Sequence, residues 1–319
     1  MKKSICDIEK YNELKKKYKI IVFDWDGTAV HNRNDDILEL IIALEELLKQ
    51  GVYIVVVTGT NFENIDRQFS SHIKEIHKKN LFICTNRGSE VFGFDENSRS
   101  VLLFRLNIDE DKNKLLDKIV EKTKKDIESK AAIRLEIIYD RLNRRKLDLI
   151  PEWENPLKLE IGKLIIETEK KLTNAGFKEG IKGAFDLMEK NASLLGLNNA
   201  RITSDVKHLE VGVSDKSDSI KWILENIAAP KNIQDKEILI IGDEFGTIAG
   251  FDGSDYKMVV KNHNDIMYFS VGKEPDGLPK NENSEGISVR NSNQDKKIKH
   301  IGGGPECFLK IIKNQIKIV

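Results

Sequence analysis

The 319-residue sequence carries no net charge, with Lys plus Arg and Asp plus Glu numbering 52 each. No global field therefore draws it to nucleic acid or to an anionic membrane, and any function built on charge must be local. Only three cysteines are present, Cys6, Cys84 and Cys307, without a C-x-x-C spacing. An odd number spread this widely predicts three reduced core thiols in a cytoplasmic protein rather than a disulfide framework. No stretch approaches the roughly 18 apolar residues of a spanning helix, and the basic start MKKSICDIEKYNELKKKYK lacks the apolar segment of a secretion signal. The six histidines form no H-x-x-x-H or H-E-x-x-H arrangement, which argues against zinc. No apolar run leads into G-x-G-x-x-G or G-x-x-x-x-G-K-S/T, so a nucleotide cradle is not expected.

What is present is a series of short apolar runs alternating with helical patterns. A charged helix over residues 5–18 leads to the strand Lys19–Phe23. DDILELIIALEELLKQG has apolar positions at helical spacing and Gly51 as a stop. Tyr53–Val57, a helix over about 62–78 and the run LFIC follow. Continuous apolar strands joined by helices predict a parallel sheet covered on both faces. The pattern then changes to a hairpin over 89–106, a helix over about 109–128, the strands AAIRLEIIYD and RKLDLIP, a long helix after Pro156, a helical or irregular stretch around GAFDLMEKNASLLG, and ITSDVKHLEVGV. From Ser214 the parallel pattern resumes with a helix, the strand EILII and the strand YKMVV. The fold class is thus α/β: a doubly wound, Rossmann-like parallel core, residues 1–106 and 214–319, with an inserted α+β unit at 107–213. Residues 273–299, polar and rich in Gly, Pro and Asn, read as an exposed loop. Pro305 opens a last helix.

Ligands of open parallel sheets bind beyond the carboxyl ends of the strands. Four apolar runs end there in polar residues: Asp24-Trp25-Asp26-Gly27-Thr28, Thr58-Gly59-Thr60-Asn61, Thr85-Asn86-Arg87 and Asp243-Glu244. Acids with hydroxyls, and no histidine or cysteine, favour a hard ion such as Mg2+ that shares phosphate oxygens. Asp24, last in its strand, can attack phosphorus as a nucleophile. Asp26, in the turn, can pass the proton to the leaving oxygen and take one from water. Lys216, at the start of a helix, can offset the charge of the carboxylates and the phosphate.

With 33% charged residues, a D-x-D pair alone carries little weight. The ordered set DWDGT, VVVTGT, the lysine of GVSDKSDSIKWIL and ILIIGDE resembles the four motifs of the haloacid dehalogenase superfamily of phosphohydrolases. The position of the insertion resembles the C2-capped branch, subtype B, which includes Cof-like sugar phosphatases, trehalose- and sucrose-phosphate phosphatases and phosphomannomutase. The resemblance implies Asp24 as nucleophile, Asp26 as acid and base, Thr58 as phosphate-binding hydroxyl and Lys216 as stabilising lysine. It also implies Asp243 as a metal ligand, with Asp24 and the Asp26 carbonyl. Thr247 stands where Cof-like members have a second acid, leaving Glu244, Asp252 or Asp255 to supply it, with Glu244 placed just ahead of Asp255. TGT replaces the commoner T-G-R, which removes a positive group.

In such an enzyme the cap reads the leaving group. Arg141, Arg144 and Arg145 can grip phosphate or carboxylate, as a comparable cap strand does in phosphomannomutase, or can line a solvated loop. Gly59, Thr60, Asn61 and Arg87 are further candidates for substrate contact, although Asn61 equally suits a helix cap. Asp148 and Glu210 can meet sugar hydroxyls or simply alternate along a half-exposed strand; Trp153 and His208 suit structural roles. The expected function is Mg2+-dependent hydrolysis of a small phosphate ester, most simply a sugar phosphate. A phosphohexomutase and a non-catalytic binding domain are the alternatives. No nucleic acid or membrane partner is expected.

Overall fold

The computed structural model describes residues 6–154, 160–272 and 298–318. Its centre is an eight-stranded sheet built from β1 (Ile20–Asp24), β2 (Tyr53–Val57), β3 (Leu81–Thr85), β4 (Glu90–Phe94), β5 (Ser100–Arg105), β10 (Ile238–Gly242), β13 (Met267–Ser270) and β14 (Ile298–His300), in the order β14-β13-β10-β1-β2-β3-β4-β5. All pairings are parallel except those of β4 with β3 and β5. Every residue of β1 and β10 is buried, as expected for central strands covered on both faces. The helices α1 (Leu38–Lys49), α2 (Phe62–Gln68), α6 (Lys216–Ile223) and α7 (Gly304–Lys317) belong to this core. The chain runs outward from β1 to β2 and β3, then returns to the other side of β1 as β10. The resulting switch point puts the carboxyl ends of β1 and β10 side by side at a crevice.

Between β5 and α6 the chain forms a four-stranded antiparallel sheet, β6-β7-β9-β8, from β6 (Glu136–Arg141), β7 (Arg144–Asp148), β8 (Arg201–Ser204) and β9 (His208–Gly212). Helices α3 (Glu110–Glu128), α4 (Ile161–Asn174) and α5 (Gly180–Leu194) pack with it. This unit, expected from the sequence to be a cap, has its own apolar cluster, including Leu116, Ile119, Leu147, Met188 and Leu209. Ile248 and Phe251 join that cluster from a two-stranded hairpin, β11 (Thr247–Ile248) and β12 (Phe251–Asp252), which follows β10. Phe251 stacks on Phe185 of α5 with ring centroids 4.8 Å apart. The turn between the two short strands needs positive φ at Ala249 (48°) and Gly250 (87°), as a tight two-residue hairpin turn does.

Several expectations need correction. Residues 8–15 form two short 3₁₀ turns, Ile8–Lys10 and Asn12–Lys15, instead of one charged helix. The helix expected over 62–78 stops at Gln68 and continues as 3₁₀ turns. YKMVV is not a strand: Ser254–Met258 is a 3₁₀ turn, and the next core strand is Met267–Ser270. The exposed-loop reading of 273–299 falls mostly outside the described residues, and Ile298 and Lys299 belong to β14. Cys6 and Cys307 are not free thiols; they form a disulfide across 301 residues. Only Cys84 is free, and its burial pushes the thiol up to about 12. The cytoplasmic expectation therefore loses its cysteine argument. Among the described residues, no helix is long and apolar enough to cross a membrane.

Candidate active site

Alternation along β1 turns Phe23 and Trp25 into the core and leaves Asp24 at the strand's end, 6% exposed. The chain then folds back through hydrogen bonds from Ala29 N and Val30 N to Trp25 O. Gly27 sits in this turn at φ 94°, and a Cβ there would overlap the Asp243 carboxylate. Glycine is thus required both by conformation and by the close approach of an acid. Asp243 follows β10, and Thr28 Oγ1 donates to its Oδ1 at 3.0 Å.

Carboxylate oxygens of Asp24, Asp243 and Asp255 lie within 4.8 Å of one another, an acidic triad that could hold a metal ion. Its donor chemistry, three carboxylates and no nitrogen or sulfur, fits a hard cation. Asp255 reaches it because the 3₁₀ turn Ser254–Met258 replaces the expected strand. Its Oδ2 accepts from the backbone N–H of Asp243 (2.9 Å) and of Glu244 (2.8 Å), so it also braces the loop after β10. Glu244 lies outside the triad and accepts from Ser254 Oγ at 2.7 Å. Asp252, the third candidate, lies in β12, with Lys257 at 3.6 Å.

Lys216 is the first residue of α6, whose start is fixed by an Asp215–Asp218 capping box. Its Nζ donates to Asp24 Oδ1 and to Asp255 Oδ1, both at 2.5 Å, in a site where all three residues are buried. Burial alone would lower the ammonium's pKa; the two carboxylates outweigh it and hold the lysine charged above its ordinary value. Thr58 is buried at the end of β2, with its Oγ1 accepting from Thr60 N at 3.2 Å. Thr60 and Gly59 line the cleft. Asn61 caps α2 by accepting from Asn64 N, the structural role open to it.

Asp26 is not one of the three triad acids; it is held by both nitrogens of a guanidinium fork, Arg33 Nε to Oδ1 at 3.0 Å and Nη2 to Oδ2 at 2.8 Å. Arg33 was not among the sequence candidates. It lies in a polar loop before α1 with no periodicity to mark it, and only the fold brings it back over the strand end.

Across the cleft the expected cap arginines separate. Asn86 (φ 50°) and Arg87 (φ 52°) make a left-handed turn beyond β3. Arg87, from the core, places Nε 2.9 Å from Glu210 Oε2 of the cap, which also receives Arg144 Nη1 at 2.9 Å; Lys146 Nζ sits 2.7 Å from Glu210 Oε1. Burial would raise the Glu210 pKa, but the three cations hold it well below the usual carboxylate range. Arg144, 2% exposed, is drawn down to about 10 by burial, with Arg87 beside it and Glu210 opposing. Arg145 is bound to Asp117 and to the Arg144 carbonyl, away from the cleft. Arg141 remains exposed at the cleft wall. Asp148 pairs with Lys207 at 2.7 Å, and His208 with Asp205 at 3.0 Å. The cleft has a volume of about 590 Å³ and runs from Asp24 and Lys216 on the core to Lys146 and Glu210 on the cap.

A family model described as haloacid dehalogenase-like hydrolase matches residues 21–268. The chain belongs to the haloacid dehalogenase-like hydrolases. A Buchnera aphidicola protein provisionally named a phosphatase is 30% identical to this hydrolase over 93 residues, 29% of this chain and 31% of that protein. The chain thus spans about a third of the length of that relative. Among solved structures, Plasmodium falciparum IMP-nucleotidase aligns with a TM-score of 0.57 at 16% identity, over 96% of this hydrolase and 72% of that chain. The C-terminal domain of Candida albicans trehalose-6-phosphate phosphatase aligns at 0.56 and 15% identity, over 97% and 96%. At these identities the likeness is one of fold.

Proposed function

We propose that this haloacid dehalogenase-like hydrolase is a Mg2+-dependent phosphatase acting on a small phosphorylated metabolite, a sugar phosphate in the first instance. The observation that carries the reading is a buried carboxylate, Asp24, held 2.5 Å from Lys216 beside two further acids, with Asp26 two residues along the same strand end. In this reading Asp24, Asp243, Asp255 and the Asp26 carbonyl would hold the magnesium. When bound, the ion would neutralise charge on the phosphoryl oxygens.

Asp24 attacks phosphorus; the Asp24–phosphorus bond forms as the bond to the leaving oxygen breaks, giving an aspartyl phosphate. Asp26 gives a proton to the leaving oxygen, then accepts one from the water that releases phosphate and restores Asp24. Thr58 and Lys216 hold the phosphoryl oxygens. The unit at 107–213, with the subtype-B reading of its topology, closes the site from water and reads the leaving group. The names of the Buchnera relative, the nucleotidase and the trehalose-6-phosphate phosphatase support phosphomonoester chemistry without choosing among substrates. Phosphate release from a panel of sugar phosphates, nucleotides and phosphoglycerates tests the reading. Release that requires magnesium and disappears in Asp24→Asn upholds it; release that survives the substitution refutes Asp24 as nucleophile.

A further inference from the structure

The cations lining the cleft are not equally committed. Lys216 is bound between Asp24 and Asp255, Arg87 and Lys146 are bound to Glu210, and Lys207 is bound to Asp148, all with partners at 2.9 Å or less. Two arginines differ. Arg141, on the cap, has no ion-pair partner among the described residues and is exposed. Arg33, on the core, holds Asp26 in a pair whose side chains are 42% and 27% exposed. The fork is bidentate, but both of its partners are open to water, so an anion of matching geometry can reach the guanidinium and compete with Asp26 for it.

The loop that carries Arg33 is, by contrast, firmly built. Asp35 Oδ2 accepts from the backbone N–H of His31 (2.8 Å) and of Asn32 (3.0 Å), and Asn32 Oδ1 accepts from Asn34 N at 2.9 Å. Gln68 Nε2 ties the Asn32 carbonyl to α2 at 3.2 Å, and His31 meets Glu306 of α7 at 3.1 Å. A fixed base that presents a water-accessible guanidinium is suited to handing the fork from one anion to another, because the planar donors match carboxylate and phosphate equally well.

Resting on the phosphatase reading, we infer that Arg33, paired with Asp26, is a specificity-determining residue that transfers to a second anionic group on the substrate's leaving side, with Arg141 closing on that group from the cap. The substrate class is then a phosphate ester whose alcohol carries a further phosphate or carboxylate.

The test is binding, by isothermal titration calorimetry with magnesium, in an Asp24→Asn background that cannot turn over by the proposed route. Fructose 1,6-bisphosphate, 3-phosphoglycerate and phenyl phosphate are compared with and without Arg33→Gln. Hydrogen bonds to charged groups set the expected scale: Arg33→Gln weakens one or both of the doubly anionic ligands roughly tenfold to a hundredfold, and phenyl phosphate by much less. Loss on the bisphosphate alone identifies phosphate as the second group, and loss on phosphoglycerate alone identifies carboxylate. An equal loss on all three ligands, or no loss, overturns the inference. Because binding is read without turnover, failure of the phosphatase reading shows separately, as absence of phosphate release by the wild type.

Discussion

Replacing Lys216 by methionine keeps much of the side-chain volume and removes the charge that bridges Asp24 and Asp255. Both carboxylates stay buried, Asp255 completely and Asp24 at 6% exposure. Asp255 keeps its two backbone N–H donors on Oδ2, while each acid loses its 2.5 Å ammonium contact. Breaking a buried ion pair by removing one partner costs about 3–5 kcal/mol. At about 2–3 °C per kcal/mol for a chain of this size, the melting temperature in EDTA at pH 7 should fall by roughly 6–15 °C. The pH dependence has a definite sign. Lys216 is raised in the folded state, so its contribution is fully present below the ordinary lysine value of 10.5 and fades only as pH climbs through the folded value. Wild type should therefore show no change from this group between pH 5 and 8. Added magnesium should raise the variant's melting temperature more than the wild type's, by restoring positive charge among Asp24, Asp243 and Asp255. A fall of less than about 2 °C in EDTA would refute the claim that these acids depend on the lysine.

Glu210 titrates in the opposite sense: its folded pKa is lowered, so its stabilisation is present above its ordinary 4.5 and is lost as pH falls toward the folded value. Glu210→Gln should be destabilised at pH 7 by about 3–5 kcal/mol, because Arg87, Arg144 and Lys146 lose their common partner. Its melting temperature should also fall less steeply than the wild type's below pH 4.5, and parallel acid profiles would contradict the assignment. Reduction, or Cys6→Ser, should cost on the order of 2–5 kcal/mol in denaturant titrations, since the crosslink closes nearly the whole chain. Thiol titration of the unreduced, denatured protein should find Cys84 alone, and three reactive thiols would remove the disulfide.

The strand ends were legible because two signals coincide there: a buried parallel strand must be apolar throughout, and its ligand edge must not be. That contrast marks Asp24, Thr58 and Asp243 without any knowledge of the third dimension. YKMVV was misread for the same reason, since an apolar run beside an acid looks like another strand. The competing demand was that Asp255 present one oxygen to two backbone N–H groups and the other to Lys216, which an extended segment would not satisfy. The partners of the arginines were not legible at all. Arg87 and Glu210 are 123 residues apart and meet only when cap and core are assembled, while Arg33 lies in a loop whose pattern predicts nothing beyond solvent. The disulfide was hidden by arithmetic, because an odd number of cysteines argues against pairing only if every one of them must pair.

The β11–β12 hairpin has a mechanical consequence. A lid joined to its base by two strands of chain can swing and leave the base unchanged. Here a third attachment, Ile248 and Phe251, is sunk in the lid's interior, and it belongs to the same short loop that carries Asp243 at one end and Asp255 at the other. Any wide opening must either pull Phe251 from its stack on Phe185 or drag that loop, and with it the carboxylates around Lys216. If the unit at 107–213 moves as a lid, it and the acid loop would therefore move as geared parts, since the cleft could not open fully with the triad left in register.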